Sequence, residues 1–285
     1  MFRKIIYLLV LFIFFIYGTM VGSWKIPPHN ILLYVKNLYV DHIDKKKYQN
    51  SISEMKKCNL KQIYTLPKNS TVIIGHAYGG IEDHDDFISS KILKFLESNY
   101  QNIENVIFSG DVIKVPSTQK WKKLKNYSSE LNIKMYIAPG NHEVSFGDNT
   151  RRDIFYKVFN QKHSYQVSSK YNEKINIVIE DSTIKNWLIL DSSIDLIKKN
   201  KNKKFSLLIR HHQAVEEFLR FANSLEGGHY TTFPTIDNLL KTFNDKLYII
   251  SGDSGAYNSL PRLNCINKDN LTIISNGIGN IDGDS

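Results

Sequence analysis

Val106-Ile107-Phe108-Ser109-Gly110-Asp111 is an apolar run that stops at a glycine and a carboxylate. Further on, Met135-Tyr136-Ile137-Ala138-Pro139-Gly140-Asn141-His142-Glu143 repeats the design with an amide, an imidazole and a second carboxylate. Short apolar runs bounded by turn formers read as buried strands. Three more runs end in metal-competent residues, at His76, at His211-His212 and at Asp253. A parallel sheet delivers the C-terminal ends of its strands to one edge, where α/β proteins bind ligands. The glycines allow sharp turns and close backbone approach. Strand ends bearing His, Asp, Asn, His and Asp therefore predict one pocket equipped for metal-assisted hydrolysis.

The pattern around these blocks is α/β. Strands are expected over Thr71–Ile74, Asn105–Ser109, Ile133–Ala138, Phe205–Ile209, Leu247–Ser251 and Leu271–Ser275. A β-rich middle is expected at Ser164–Val167, Ile175–Ile179 and Trp187–Leu190. Helices are expected over Phe87–Tyr100, Trp121–Leu131, Arg152–Phe159, Val215–Asn223 and Ile236–Phe243, and a loop over Lys198–Lys204. Alternating elements around a β-rich middle predict two sheets with outer helices.

The net charge of +9 is unevenly placed. Residues 1–70 carry 11 of the 37 Lys+Arg but 3 of the 28 Asp+Glu. The remainder is close to neutral, which speaks against a nucleic-acid-binding surface. Ile5–Trp24 contains no charged residue and follows Arg3 and Lys4. Twenty helical residues span about 30 Å, the thickness of a bilayer's hydrocarbon. The reading is a signal anchor over 1–24, a basic stalk over 25–70 and a catalytic domain over 71–285. Arg3 and Lys4 favour an extracytoplasmic domain; a cleaved secretory peptide is the competing reading of the same run. Cys58 and Cys265 could pair in an exported domain or stay as buried thiols.

The order of Gly110-Asp111, Gly140-Asn141-His142-Glu143 and His211 resembles the calcineurin-like metallophosphoesterases, over about residues 71–280. The resemblance implies a double β-sheet sandwich flanked by α-helices. It also implies two divalent or trivalent metal ions (Mn, Fe or Zn) and hydrolysis by metal-activated hydroxide attack on phosphorus. By the same resemblance Asp111 bridges both ions, Asn141 and His211 hold the second, and His142 positions the phosphate or protonates the leaving group. His212 is the fallback ligand and a candidate substrate contact, as is His229 in Gly227-Gly228-His229-Tyr230.

Two blocks depart from the family pattern. Its G-D-x-H is Gly75-His76-Ala77-Tyr78 here, and its G-H-x-H is Gly252-Asp253-Ser254-Gly255. One Asp becomes His76 and one His becomes Asp253, so the carboxylate count is unchanged. The second ion keeps Asp111, Asn141, His211 and Asp253. The first has Asp111 and His76, with Tyr78 as a phenolate that would favour Fe³⁺. Asp253 alone reads as a turn cap; its place after Leu247–Ser251 turns that reading towards ligation. Asp83–Asp86 reads as a solvated loop, and Lys114, Arg151 and Arg152 as ordinary basic residues that could reach a phosphate.

The expectation is a membrane-anchored, exported hydrolase of phosphomonoesters or phosphodiesters, with an envelope glycan or lipid as one substrate class. The alternative is a non-catalytic binding or assembly module of the cell envelope. A third reading places the catalytic domain inside the cell.

Overall fold

The computed structural model describes residues 12, 14–19, 55–79, 87–144, 149–169, 171, 173–185, 187–215, 235–256 and 263–278. Contacts divide the chain into two units, Met1–Ser53 and Glu54–Ser285. In the first, Phe12 and Phe14–Thr19 are helical with exposed side chains. Most of the expected anchor lies outside the described residues. Among those described, no helix is long and apolar enough to cross a membrane.

The second unit is a mixed α/β fold with two sheets. The smaller contains β2 (Ser70–Ile74), β3 (Ile103–Phe108) and β4 (Lys134–Ile137), all parallel. The larger has seven strands in the order β1-β9-β10-β8-β7-β6-β5. Its parallel centre is β6 (Ile175–Glu180), β7 (Phe205–Arg210), β8 (Leu247–Ser251) and β10 (Leu271–Asn276). Antiparallel neighbours flank it: β5 (Ser164–Val167) on β6, and β9 (Leu263–Lys268) on β10 with β1 (Lys56–Lys57) beyond.

Period-two alternation explains how the layers stack. Val106 and Phe108 face an outer core with Ile92, Leu96, Trp121, Leu124 and Phe155. These come from β3 and from helices α1 (Ser90–Asn99), α2 (Thr118–Glu130) and α4 (Asn149–Phe159). Ile107 between them turns the other way, onto Ile177, Ile179, Ile209 and Ile250 of the larger sheet. Ile73 and Tyr136 share that inward face, so one layer of aliphatic side chains glues the sheets together. Removing such a layer from water is the main stabilising term.

The registers put the strand ends level. Ile74 pairs with Phe108 and Phe108 with Ile137, while Arg210 pairs with Ser251 and Ser251 with Ser275. Asn276 ties the two edges together: its amide donates to the Ile73 carbonyl at 2.9 Å, and its side-chain oxygen accepts from Ser109 Oγ at 3.2 Å. Cys58 and Cys265 form a disulfide across 207 residues, next to the β1–β9 pairing. Part of the expected stalk therefore belongs to the compact unit.

Two local expectations are corrected. Trp187–Leu190 is not a strand. It is a turn leading into α5 (Asp191–Lys199), which packs on β5 and β6. Asp191 in its first turn and Lys198 and Lys199 in its last match the helix dipole, so the charged run is partly helix end. The apolar run was too short to separate turn from strand by period. Strand β9 was also missed. The helix expected over Val215–Asn223 falls, beyond Val215, outside the described residues. Helices α3 (Asn141–Val144) and α6 (Ile236–Thr242) complete the described set.

Candidate metal centre

Five strand ends meet at one place, and two of them leave in strained backbone. His76 follows β2 at φ 48° and Asp111 follows β3 at φ 52°. A left-handed backbone at a non-glycine residue costs roughly 1–2 kcal/mol. It is held here by main-chain bonds from His76 N–H to the Gly110 carbonyl at 3.0 Å and from Tyr78 N–H to the Asp111 carbonyl at 3.3 Å. Gly110, at φ 91°, is required by space as well as conformation. A Cβ there would sit 2.2 Å from His211 Nδ1.

Glu143 fixes the two loops to each other. Its Oε2 accepts the N–H groups of Asp111 and Gly140, both at 2.8 Å. Its Oε1 accepts those of Val112 at 2.9 Å and Ile113 at 3.3 Å. The carboxyl is fully buried. Burial and the nearby Asp111 push its pKa up, against the pull of the Gly140 donor.

Asp111 stands at the centre. Its Oδ1 lies 3.4 Å from His211 Nε2, and its Oδ2 lies 3.6 Å from His76 Nε2 and 3.9 Å from His142 Nε2. Burial pushes its carboxyl up to about 6, against the lowering effect of His142. His211 Nε2 also lies 3.0 Å from Asn141 Oδ1 and 3.4 Å from Asp253 Oδ1. Its other nitrogen, Nδ1, is 3.1 Å from the Ser109 carbonyl, which can only accept. The Nδ1 proton is thereby assigned, and the Nε2 lone pair of a neutral His211 confronts three oxygens. A cation among these four groups resolves that conflict, and the set of one imidazole, one amide oxygen and two carboxylates suits a first-row divalent ion. Ring nitrogens of His211 and His212 and an oxygen of Asp253 also lie within 4.8 Å of one another, all buried.

The other half of the site is less oxygen-rich. Tyr78 Oη is 3.0 Å from His76 Nε2 and 3.4 Å from His142 Nε2. Burial, then the charges of Asp111, Glu143 and Asp253, push its phenol well up, so it is a neutral hydrogen-bonding group unless a cation joins it. His142 Nδ1 is 2.8 Å from the Lys114 carbonyl, and its ring is the more open of the histidines around Asp111. Arg151 donates to the His142 carbonyl at 3.3 Å, and Arg152 bonds Thr183 at 3.0 Å. These arginines brace the loops.

The residues singled out in the sequence thus come together as His76, Tyr78, Asp111, Asn141, His142, His211, His212 and Asp253. His229 and Asp83–Asp86 lie outside the described residues. Two residues beside His212 carried no motif: Ser182, whose Oγ is 2.9 Å from His212 Nδ1, and Trp187, whose ring stacks on His212 at 4.5 Å. The usable signal for Ser182 was its place just past the expected strand Ile175–Ile179, at the same sheet edge.

No protein-family profile and no curated protein matches the chain. Among solved structures it is similar to a purple acid phosphatase isolated from yellow lupin (Lupinus luteus) seeds, at 12% identity and a TM-score of 0.45. The match covers 76% of this chain, which spans only 45% of that one.

Proposed function

We propose that this protein is a metal-dependent phosphoester hydrolase with a metallophosphoesterase-like fold, exported and held at a membrane by its N-terminal apolar run. The observation that carries the hydrolase reading is His211 Nε2 facing Asn141 Oδ1, Asp111 Oδ1 and Asp253 Oδ1 at 3.0–3.4 Å. The choice of phosphoesters rests on the order of the Gly110-Asp111, Gly140–Glu143 and His211 blocks. In this reading Asp111, Asn141, His211 and Asp253 hold one ion, and Asp111, His76 and Tyr78 a second. Bound ions of this kind lower the pKa of water and stabilise charge on a phosphoryl group.

The chain's own residues do the rest. Asp111 links the two halves of the site, held in place by the bond from its main-chain N–H to Glu143. The Lys114 carbonyl takes the Nδ1–H of His142 and fixes its ring, so Nε2 can hand a proton to the leaving oxygen when the ring is an imidazolium. Export is supported by the Cys58–Cys265 disulfide, a bond typical of oxidising compartments. Anchoring rests on Ile5–Trp24, and an envelope glycan or lipid substrate on that location alone.

Metal content and hydrolysis of generic phosphomonoesters and phosphodiesters test the proposal on the wild-type chain and on Asp111→Ala. Bound metal with activity lost in the variant supports it. Neither metal nor activity after loading with Mn²⁺, Fe or Zn²⁺ leaves the binding or assembly module as the better reading.

A further inference from the structure

The chain between β1 and β2 is an exposed strap pinned at both ends. At its start Met55 is buried, and Cys58 is tied to Cys265 of β9 twice, by the disulfide and by its main-chain N–H, which donates to the Cys265 carbonyl at 3.1 Å. At its far end Leu66 packs against the outer core, and Ser70 Oγ donates to the Pro67 carbonyl at 2.7 Å as β2 begins. Between the pins every residue from Asn59 to Thr65 is exposed. Three of them carry large apolar side chains: Leu60 is 46% exposed, Ile63 62% and Tyr64 90%. Single exposed apolar residues are ordinary on a protein surface, whereas a cluster of them marks an interaction site.

The charge on the strap has one sign. Lys56, Lys57, Lys61 and Lys68 are all exposed, and no Asp or Glu occurs from Met55 to Ile81. Strand β9 sets no carboxylate in register with them, because Lys56 pairs with Asn267 and Lys57 with Ile266. The surface is therefore both apolar and cationic, and it fits an anionic partner with an apolar layer beneath its charges.

Its place in the fold links it to the metal centre. Cys265 pairs with Ile274 of β10, and Leu263, the first residue of β9, pairs with Asn276, which ties the two sheet edges together. Strand β1 runs antiparallel to β9, so the strap leaves Cys58 towards that edge. Leu263 adds a fourth apolar side chain there, 54% exposed.

We infer that Lys56–Lys68 is a docking surface for an anionic lipid bilayer, with the lysines at the headgroup phosphates and Leu60, Ile63 and Tyr64 in the interfacial layer. Lysines interleaved with aliphatic and aromatic side chains are the composition that settles at a bilayer's interface. A second copy of this chain fits less well, since a two-fold contact through the strap would bring its lysines against themselves. The inference rests on the anchored reading above. Thirty residues separate Trp24 from Met55, and a tether of that length makes docking an intramolecular event, so a weak surface is enough.

The full-length chain tests this in three forms: wild type, the triple variant Lys56→Glu, Lys57→Glu and Lys61→Glu, and the double variant Ile63→Ser and Tyr64→Ser. Each is placed on phosphatidylcholine vesicles with and without about 30% phosphatidylglycerol, which supplies the anionic surface. Pulsed hydrogen exchange reads residues 55–68, with β3 as the control for the fold. On the anionic vesicles wild-type exchange should slow by at least about fivefold over the neutral ones, the effect of a single lysine's attraction to such a surface. Both variants should lose most of that slowing while β3 stays as in wild type. Equal exchange on the two vesicle types, or a triple variant as protected as wild type, would overturn the inference. So would slowing that persists in detergent: slowing that grows with protein concentration assigns the strap to a second copy, and slowing independent of concentration assigns it to another segment of this chain. Failure of the anchor looks different, because carbonate would then extract the chain from vesicles of either composition, while exchange on excess anionic vesicles would still read the strap.

Discussion

Glu143 accepts the main-chain N–H of Asp111 at 2.8 Å, so the acid that ends one motif positions the carboxylate of the other. The same side chain gathers Gly140, Val112 and Ile113. It behaves as a buried anchor for two loops, not as a ligand. Glu143→Gln replaces one accepting oxygen with an NH₂ group that faces N–H donors. The expected cost is about 2–4 kcal/mol, from lost bonds to a charged group and from donors left unpaired. Chemical denaturation reads the stability, and metal content should fall with it. A variant as stable as wild type would mean the four bonds contribute nothing net.

Asp253 tests whether the exchanged residue has kept a ligand's place. Its Oδ1 lies 3.4 Å from His211 Nε2, on the same nitrogen as Asp111 and Asn141. Asp253→Ala and Asn141→Ala should each weaken binding of one ion by about a hundredfold or more, since even outer-shell changes cost 10–100-fold. Asp253→His should restore binding in part, because imidazole is a competent substitute. Titration of the apo-protein with Zn²⁺ measures this. Wild-type affinity in Asp253→Ala would remove the residue from the ligand set.

Close approach of the two sheets sets a third expectation. A Cβ on Gly252 would fall 1.8 Å from the Ser109 carbonyl oxygen, a backbone atom that cannot move aside. Gly252→Ala must therefore push β8 from β3. The expected loss is at the upper end of overpacking costs, about 3 kcal/mol or more. Thermal unfolding would show it, and a variant within 1 °C of wild type would contradict the packing at this edge.

Much of this was legible because backbone periodicity and site chemistry coincide. Ile107 between Val106 and Phe108 announces a strand with two buried faces, and Gly110-Asp111 announces where it ends. The same logic gave the ends at His76, Asn141, His211 and Asp253. What stayed hidden depends on contacts far apart in sequence. Trp187 reads as strand by composition, yet Arg210, 23 residues on, holds its carbonyl in a left-handed turn. Ser182 acquires meaning only when β7 brings His212 beside it. The protonation of Tyr78 depends on distant contacts too: without a cation beside it, burial, then the charges of Asp111, Glu143 and Asp253, push its phenol up and favour the neutral form.

The fourth prediction concerns pH and Asp111. Burial raises its carboxyl from the ordinary 3.8 to about 6 in the folded protein. In the unfolded chain it ionises near 3.8. Below pH 4 both states hold the proton and the group is neutral to stability. Between pH 4 and 6 the folded state keeps a proton that the unfolded state has released, so metal-free stability falls as pH rises. Above pH 6 the full penalty applies, on the order of 3 kcal/mol. A cation held by Asp111 favours the ionised form and removes that penalty. Metal addition should therefore raise Tm more at pH 7.5 than at pH 5. In metal-free protein, Asp111→Asn should gain stability over wild type above pH 6 and gain none at pH 4, because the amide does not titrate. Scanning calorimetry at these pH values, with and without Mn²⁺, measures both arms. An equal metal-induced rise in Tm at pH 5 and 7.5 would count against Asp111 as the carboxylate that holds the ion.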